Sequence, residues 1–184
     1  MELIVYISPL NICILEIKQF YSGGIMKKLR LLVGFSLIVT MWLFLIGCSV
    51  SEFQESVYSD DSKITKQADS YNFRSRVGST TSKKSEIKFV SFFGMDTLWS
   101  IEAKEEAVVT LEYDIKIEKG DFKVVLIGPD NKVIVIVDKG KSGKQELRLQ
   151  KGNSRIKIVG KGAKGQVKIN ITGNKNIEIK KLNN

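Results

Sequence analysis

The chain has no histidine and only two cysteines, Cys13 and Cys48, in 184 residues. Lack of histidine excludes a His-based catalytic triad and His-ligated zinc. Two isolated cysteines give no CxxC metal site, and no disulfide framework unless they pair with each other. Nucleophilic catalysis is then left with a Ser–Lys pair or paired carboxylates. Ser85 and Lys88 have the SxxK spacing, but the stretch reads as extended, and a strand does not bring those two side chains together as a helix does. Asp96, Asp114, Asp121 and Asp130 offer oxygen ligands for a hard cation, yet no EF-hand-type loop is present. Gly120-Asp121 and Asp130-Asn131 read as turns. The expectation is a protein that is not an enzyme and uses no cofactor and no metal.

Acidic residues are also in deficit, 20 against 29 basic ones, a net charge of +9. Hydrophobic residues make up 43% and charged ones 27%, which supports a folded domain and excludes wholesale disorder.

What is present begins with a secretory signal. Lys27, Lys28 and Arg30 form a positive region, Leu31 to Ile46 is uncharged and apolar, and Gly47 closes the run before Cys48. An uncleaved membrane helix is the alternative, but it wants about 20 apolar residues, and this stretch is shorter and ends in Gly-Cys. Residues 1–25 precede a complete signal, whereas signals begin near the start of translation. Ser22-Gly23-Gly24-Ile25 before Met26 can be encoded by a purine-rich ribosome-binding sequence. Met26 is therefore the expected start, residues 1–25 a mis-translated leader, and residues 26–47 the signal peptide.

Leu45-Ile46-Gly47-Cys48 resembles the lipobox of bacterial lipoproteins. The resemblance implies that the Cys48 thiol receives diacylglycerol and that cleavage follows Gly47. Membrane attachment would then be through lipid, on the extracytoplasmic face. The excess of Lys, Ile and Asn and the purine-rich leader favour a Gram-positive cell membrane.

Residues 48–85 form the expected lipidated N-terminus and flexible linker. The stretch after Cys48 is rich in Ser, Thr, Lys and Asp, and such a composition buries little apolar surface. As a free coil it would reach roughly 35 Å, from about 5–6 Å times the root of its length. Tyr71 and Phe73 alternate with Asn72 and Arg74, which allows 70–77 to dock as an extra strand.

From Glu86 the period becomes two. Val109, Leu111, Tyr113, Ile115 and Ile117 alternate with polar residues, as do Val167, Ile169 and Ile171. Ile156 and Ile158 flank Lys157, which places that lysine outward. The unbroken runs Val124–Ile127 and Val133–Val137 read as central strands covered on both faces. Gly128-Pro129-Asp130-Asn131 between them reads as a hairpin turn. Strands are expected near 86–92, 97–103, 107–117, 122–127, 132–138, 144–149, 154–159, 165–172 and 176–181. Many short strands with turns every 8–12 residues indicate a single small antiparallel β-sandwich over 86–184. The hairpin Leu126 to Val133 resembles one in jelly-roll and CUB-like sandwiches of secreted bacterial proteins, and implies a jelly-roll-like fold.

Two surface features are candidates for binding. Phe93 and Trp99 flank a Gly94-Met95-Asp96 turn that could leave them exposed, although a small domain normally keeps its aromatics inside. Lys139, Lys141 and Lys144 cluster in one loop, and Lys151, Arg155, Lys157, Lys161, Lys164 and Lys168 follow. Removing residues 1–47 leaves 25 basic against 18 acidic residues, net +7. That balance suits anionic lipids or wall polymers, with no nucleic acid partner; the plain reading is a solvated surface whose lysines guard strand edges. The expected function is a membrane-anchored envelope lipoprotein with a non-enzymatic binding or structural module. The alternative is a carbohydrate- or peptide-binding accessory module serving another envelope protein.

Overall fold

A computed structural model describes residues 50–182, and the fold is all-β and antiparallel. Two short helices lead, α1 (Glu52–Ser56) and α2 (Asp61–Ile64), joined by a 3-10 turn at Val57–Ser59. Eight strands follow: β1 (Ser70–Asn72), β2 (Ser75–Thr80), β3 (Lys84–Ala103), β4 (Ala107–Ile127), β5 (Val133–Asp138), β6 (Ser142–Leu149), β7 (Gly152–Gly173) and β8 (Ile177–Lys181).

β3, β4 and β7 contain 20, 21 and 22 residues. Straight, each would span roughly 70 Å at about 3.3 Å per residue, several times the radius of a domain this size. Each therefore bends near its middle, and six of the short strands expected from the sequence are the halves of these three. The bends are marked by register shifts between Phe89, Phe92 and Gly94 and between Ile117, Lys119 and Asp121. Such bulges re-aim a strand. Gly120 takes φ +75, and a Cβ there would stand 2.4 Å from the Gly162 carbonyl oxygen, so this corner requires glycine.

Bending folds one continuous sheet into two layers. The first runs β2, the first half of β3, the second half of β7, the first half of β4, then β6. The second runs from β1 and β8, side by side on β3, through the second half of β3, the first half of β7 and the second half of β4 to β5. Number the central half-strands along the chain from the start of β3, and the layers read 1-8-3-6 and 2-7-4-5. That is the strand order of a jelly roll, eight strands in two Greek keys.

The main core fills the space between the layers, with Ile87, Phe89, Leu111, Val124, Ile156 and Ile169 among its members. At the bend Phe89 lies 5.5 Å from both Phe92 and Phe122, ring centre to ring centre. A second cluster sits on the outer face of the second layer. There Met95, Val125, Ile127 and Val159 are capped by Val57 and Ile64.

That second cluster corrects the flexible-linker expectation for 50–80. Ser51 and Gln54 form a capping box on α1, and the Asp60 carboxylate accepts from Ser62 N–H at the start of α2. Val57 and Ile64 are fully buried, and β1 and β2 pair with β3. The composition is polar, but Val57 and Ile64 point into the second cluster with Phe53 and Tyr58 beside them, and Phe73 packs against the main core. The run Val124–Ile127 is covered on both faces because this arm lies over Val125 and Ile127 while Val124 and Leu126 face the main core.

The run Val133–Val137 is corrected too. β5 is an edge strand paired only with β4 among the described residues, and Ile134 and Val135 are 42% and 48% exposed. A bulge at Ile136 turns Ile136 and Val137 together toward the core. The apolar run therefore reflects a bulged edge and not a central strand.

Candidate functional site

The lipobox residues Leu45, Ile46, Gly47 and Cys48 lie outside the described residues. Of the other candidates, Trp99 is fully buried in the main core, and its indole N–H donates to the Thr81 carbonyl at 2.6 Å. Its expected surface role is corrected: the neighbouring Gly94–Asp96 segment is continuous strand, not an open turn. Phe93 is half-buried at the bend, with its ring against Gly162. The structure does not gather the two into one patch.

Lys139 and Lys141 in the β5–β6 connection and Lys144 within β6 are all exposed. The backbone beneath them is fixed. Lys139 N–H donates to the Phe122 carbonyl at 2.8 Å, and the Lys141 carbonyl accepts from Ile115 N–H at 3.0 Å. The loop is thus tied to the bend of β4, and Lys139 adopts φ +64 to make the turn. Lys144 differs. It lies opposite Glu112 and pairs with it at 3.0 Å, part of a set of alternating charges on the outer face of the first layer. Lys84 and Lys168 share Glu86 on the same face, and Lys164 pairs with Glu118. Exposed pairs such as these add little stability, but they cancel local charge. Among the described residues, the unpaired basic surface at this loop reduces to Lys139 and Lys141.

Arg155 and Lys157 are not surface residues. Lys157 is 0% and Arg155 7% exposed, because the arm covers this part of β7. The Lys157 ammonium donates to Asp69 Oδ1 at 2.9 Å and to the Lys66 carbonyl at 2.8 Å. Arg155 donates to the carbonyls of Thr65 and Lys66. Asp69 also accepts from Thr97 Oγ1 at 2.7 Å and from Thr97 N–H at 2.9 Å. Burial opposes the charge on Asp69, but these hydrogen bonds and the Lys157 charge hold its carboxyl below the usual range. Burial pushes the Lys157 ammonium down, and Asp69 offsets part of that. No sequence pattern signals this network: a lone lysine between two isoleucines in a strand ordinarily faces water.

Near the opposite end of the arm, the Tyr58 hydroxyl donates to Asp138 Oδ1 at 3.0 Å, linking the arm to the base of the lysine loop. Burial, then the Asp138 bond and charge, push the Tyr58 phenol up to about 12. Among the described residues no group of acidic or cysteine side chains is placed to hold a metal ion, and no helix is long and apolar enough to cross a membrane.

The fold defines a β-sandwich module of jelly-roll order. No family model matches the chain, and no curated protein matches it. Among solved structures it is similar to a family 35 carbohydrate binding module from an environmental isolate, at TM-score 0.34 and 11% identity, covering 62% of this chain and 83% of that one. It is also similar to an exo-beta-1,3-galactanase from Phanerochaete chrysosporium solved with galactose, at TM-score 0.33 and 13% identity. That alignment covers 57% of this chain and 29% of the galactanase.

Proposed function

We propose that this chain is a membrane-anchored lipoprotein of the cell envelope whose jelly roll is a non-enzymatic binding or structural module. The observation that carries the proposal is the run Leu45-Ile46-Gly47-Cys48 behind a charged and then apolar segment. The arm deepens it. Ser51, three residues after Cys48, already caps a helix, so the covalent chain holds that point within roughly 10 Å of the lipid-bearing residue, at about 3.3–3.6 Å per residue. A module joined this closely works at the membrane surface and not at the end of a long tether. Diacylglycerol supplies two chains, where a single chain anchors only marginally.

Lys139 and Lys141 supply attraction to anionic headgroups or wall polymers. The accessory reading, capture of sugar or peptide for another envelope protein, draws on an exposed aromatic surface. With Trp99 in the core, the anchored-module reading is preferred. Fractionation of cells expressing Cys48→Ala tests the proposal. The unaltered protein is expected in the membrane as a shortened chain and the variant as an uncleaved precursor; normal processing of the variant contradicts it.

A further inference from the structure

The outer strands of a sheet leave backbone groups unpaired, and proteins ordinarily guard them with charge, brevity or a break in the strand. Most outer strands here are guarded. β1 is three residues long, and β8 carries Glu178, Lys180 and Lys181. β2 carries Arg76 and turns at Gly78, with φ +119. β6 carries Lys144, Glu146 and Arg148. β5 differs. Val133 to Val137 are five β-branched apolar residues in a row, with no charge and no proline before Asp138, and Ile134 and Val135 are exposed. Its guard is the bulge at Ile136, which leaves Val133 to Val135 as a regular, open stretch.

The turn before β5 sets the direction of its backbone groups. Gly128 N–H donates to the Lys132 carbonyl at 3.0 Å, so Lys132 faces β4. Directions alternate along a strand, so Ile134 also faces β4, while the backbone N–H and C=O of Val133 and Val135 point away from it. No strand among the described residues lies on that side.

We propose that β5 pairs with β5 of a second copy of this chain, antiparallel, about a two-fold axis through Ile134. Val133 of each copy then stands opposite Val135 of the other. Each of these pairs exchanges two backbone hydrogen bonds, about four in all. Ile134 meets its own counterpart in a pair without hydrogen bonds, where side chains stand closest. The stretch is thus complementary to itself, as a two-fold interface requires. Charge favours the same direction. The strand begins beside Lys132 and ends at Asp138, so an antiparallel approach brings opposite charges together and a parallel one sets like against like. Pairing joins the second layers of two sandwiches into one continuous sheet. With so few bonds the contact is weak in dilute solution, and copies held in one membrane plane meet at a higher effective concentration. The pairing itself needs no lipid, so it can fail or stand without the anchor.

The test uses the full chain with Cys13→Ser and Cys48→Ser, in an uncharged detergent with micelles in excess over protein. Amide hydrogen exchange at Val133 and Val135 is read by NMR. Exchange at both is expected to slow about fivefold or more as the protein rises from about 10 μM to about 1 mM. Ile134→Lys is expected to remove that dependence while leaving the circular dichroism of the fold unchanged, since a lysine guards the edge. In the same background Ile134→Cys is expected to form a disulfide-linked dimer on mild oxidation, because a paired Cα separation of about 4.5 Å suits one. Val77→Cys, exposed on the guarded edge β2, is expected to stay monomeric. Fast exchange at every concentration overturns the proposal. So does slow exchange at every concentration, which assigns the edge to another segment of the same chain, and so does equal cross-linking through Val77→Cys and Ile134→Cys.

Discussion

The Lys157 ammonium lies 2.9 Å from Asp69 Oδ1, 88 residues away in sequence, and is wholly shielded from solvent. It fastens the N-terminal arm to the outer face of the second layer. Removing one partner strands the other charge in a dry site. Asp69→Ala is expected to cost about 3–5 kcal/mol, while the double variant Asp69→Ala with Lys157→Met recovers most of the loss. Denaturant melts of the four proteins give the coupling. A loss below about 1 kcal/mol for Asp69→Ala, the size of an exposed pair, would show that the arm is not fastened there.

The arm should resist proteolysis. Lys63 and Lys66 are trypsin sites in a segment whose neighbour Ile64 is fully buried. Cleavage at both is expected to be slow in the unaltered protein and fast in Ile64→Asp, which places a charge in the second cluster. Equal rates in the two proteins would restore the free-linker picture.

Stability should depend on pH at both extremes. Asp69 titrates below its unfolded value, so the stability it contributes is complete above about pH 3.9 and drains as pH falls through the lower folded value. Asp69→Asn is expected to flatten that acid limb. Tyr58 titrates above its unfolded value. Its contribution is complete below about pH 10 and is lost as pH rises toward its folded value of about 12. An ultraviolet titration should show a late tyrosinate component that Tyr58→Phe removes and Asp138→Asn moves earlier.

Much of the fold was legible because period-two alternation reports one buried face directly. Leu111 inward and Glu112 outward stand as the pattern requires. The joining of the expected short strands into three long bent ones was not legible, since Gly120 and Gly162 read as turns between strands until the corner they share is seen. The arm was hidden by composition. Two buried residues, Val57 and Ile64, decide its placement among many serines and lysines. Lys157 was misread for the same reason, because what covers it comes from that polar segment. The run Val124–Ile127 did carry the signal of a second covering layer, without naming what supplies it.

Attraction to anionic surfaces should rest on two lysines. Neutralising Lys139 and Lys141 to Gln is expected to abolish most salt-sensitive binding of the non-lipidated chain to anionic vesicles, and Lys144→Gln to change it little, because Glu112 already offsets that charge. Co-sedimentation across a salt series checks this, as the Debye length shrinks from about 10 Å at 0.1 M to about 3 Å at 1 M. Equal effects from all three lysines, or indifference to salt, would return the loop to ordinary solvated surface.

The most direct test of the anchored-module account is mass spectrometry of the protein extracted intact from membranes of its host. The expected species begins at Cys48 and carries diacylglycerol on the Cys48 sulfur. A membrane form that retains residues 26–47 with Cys48 unmodified would contradict the account.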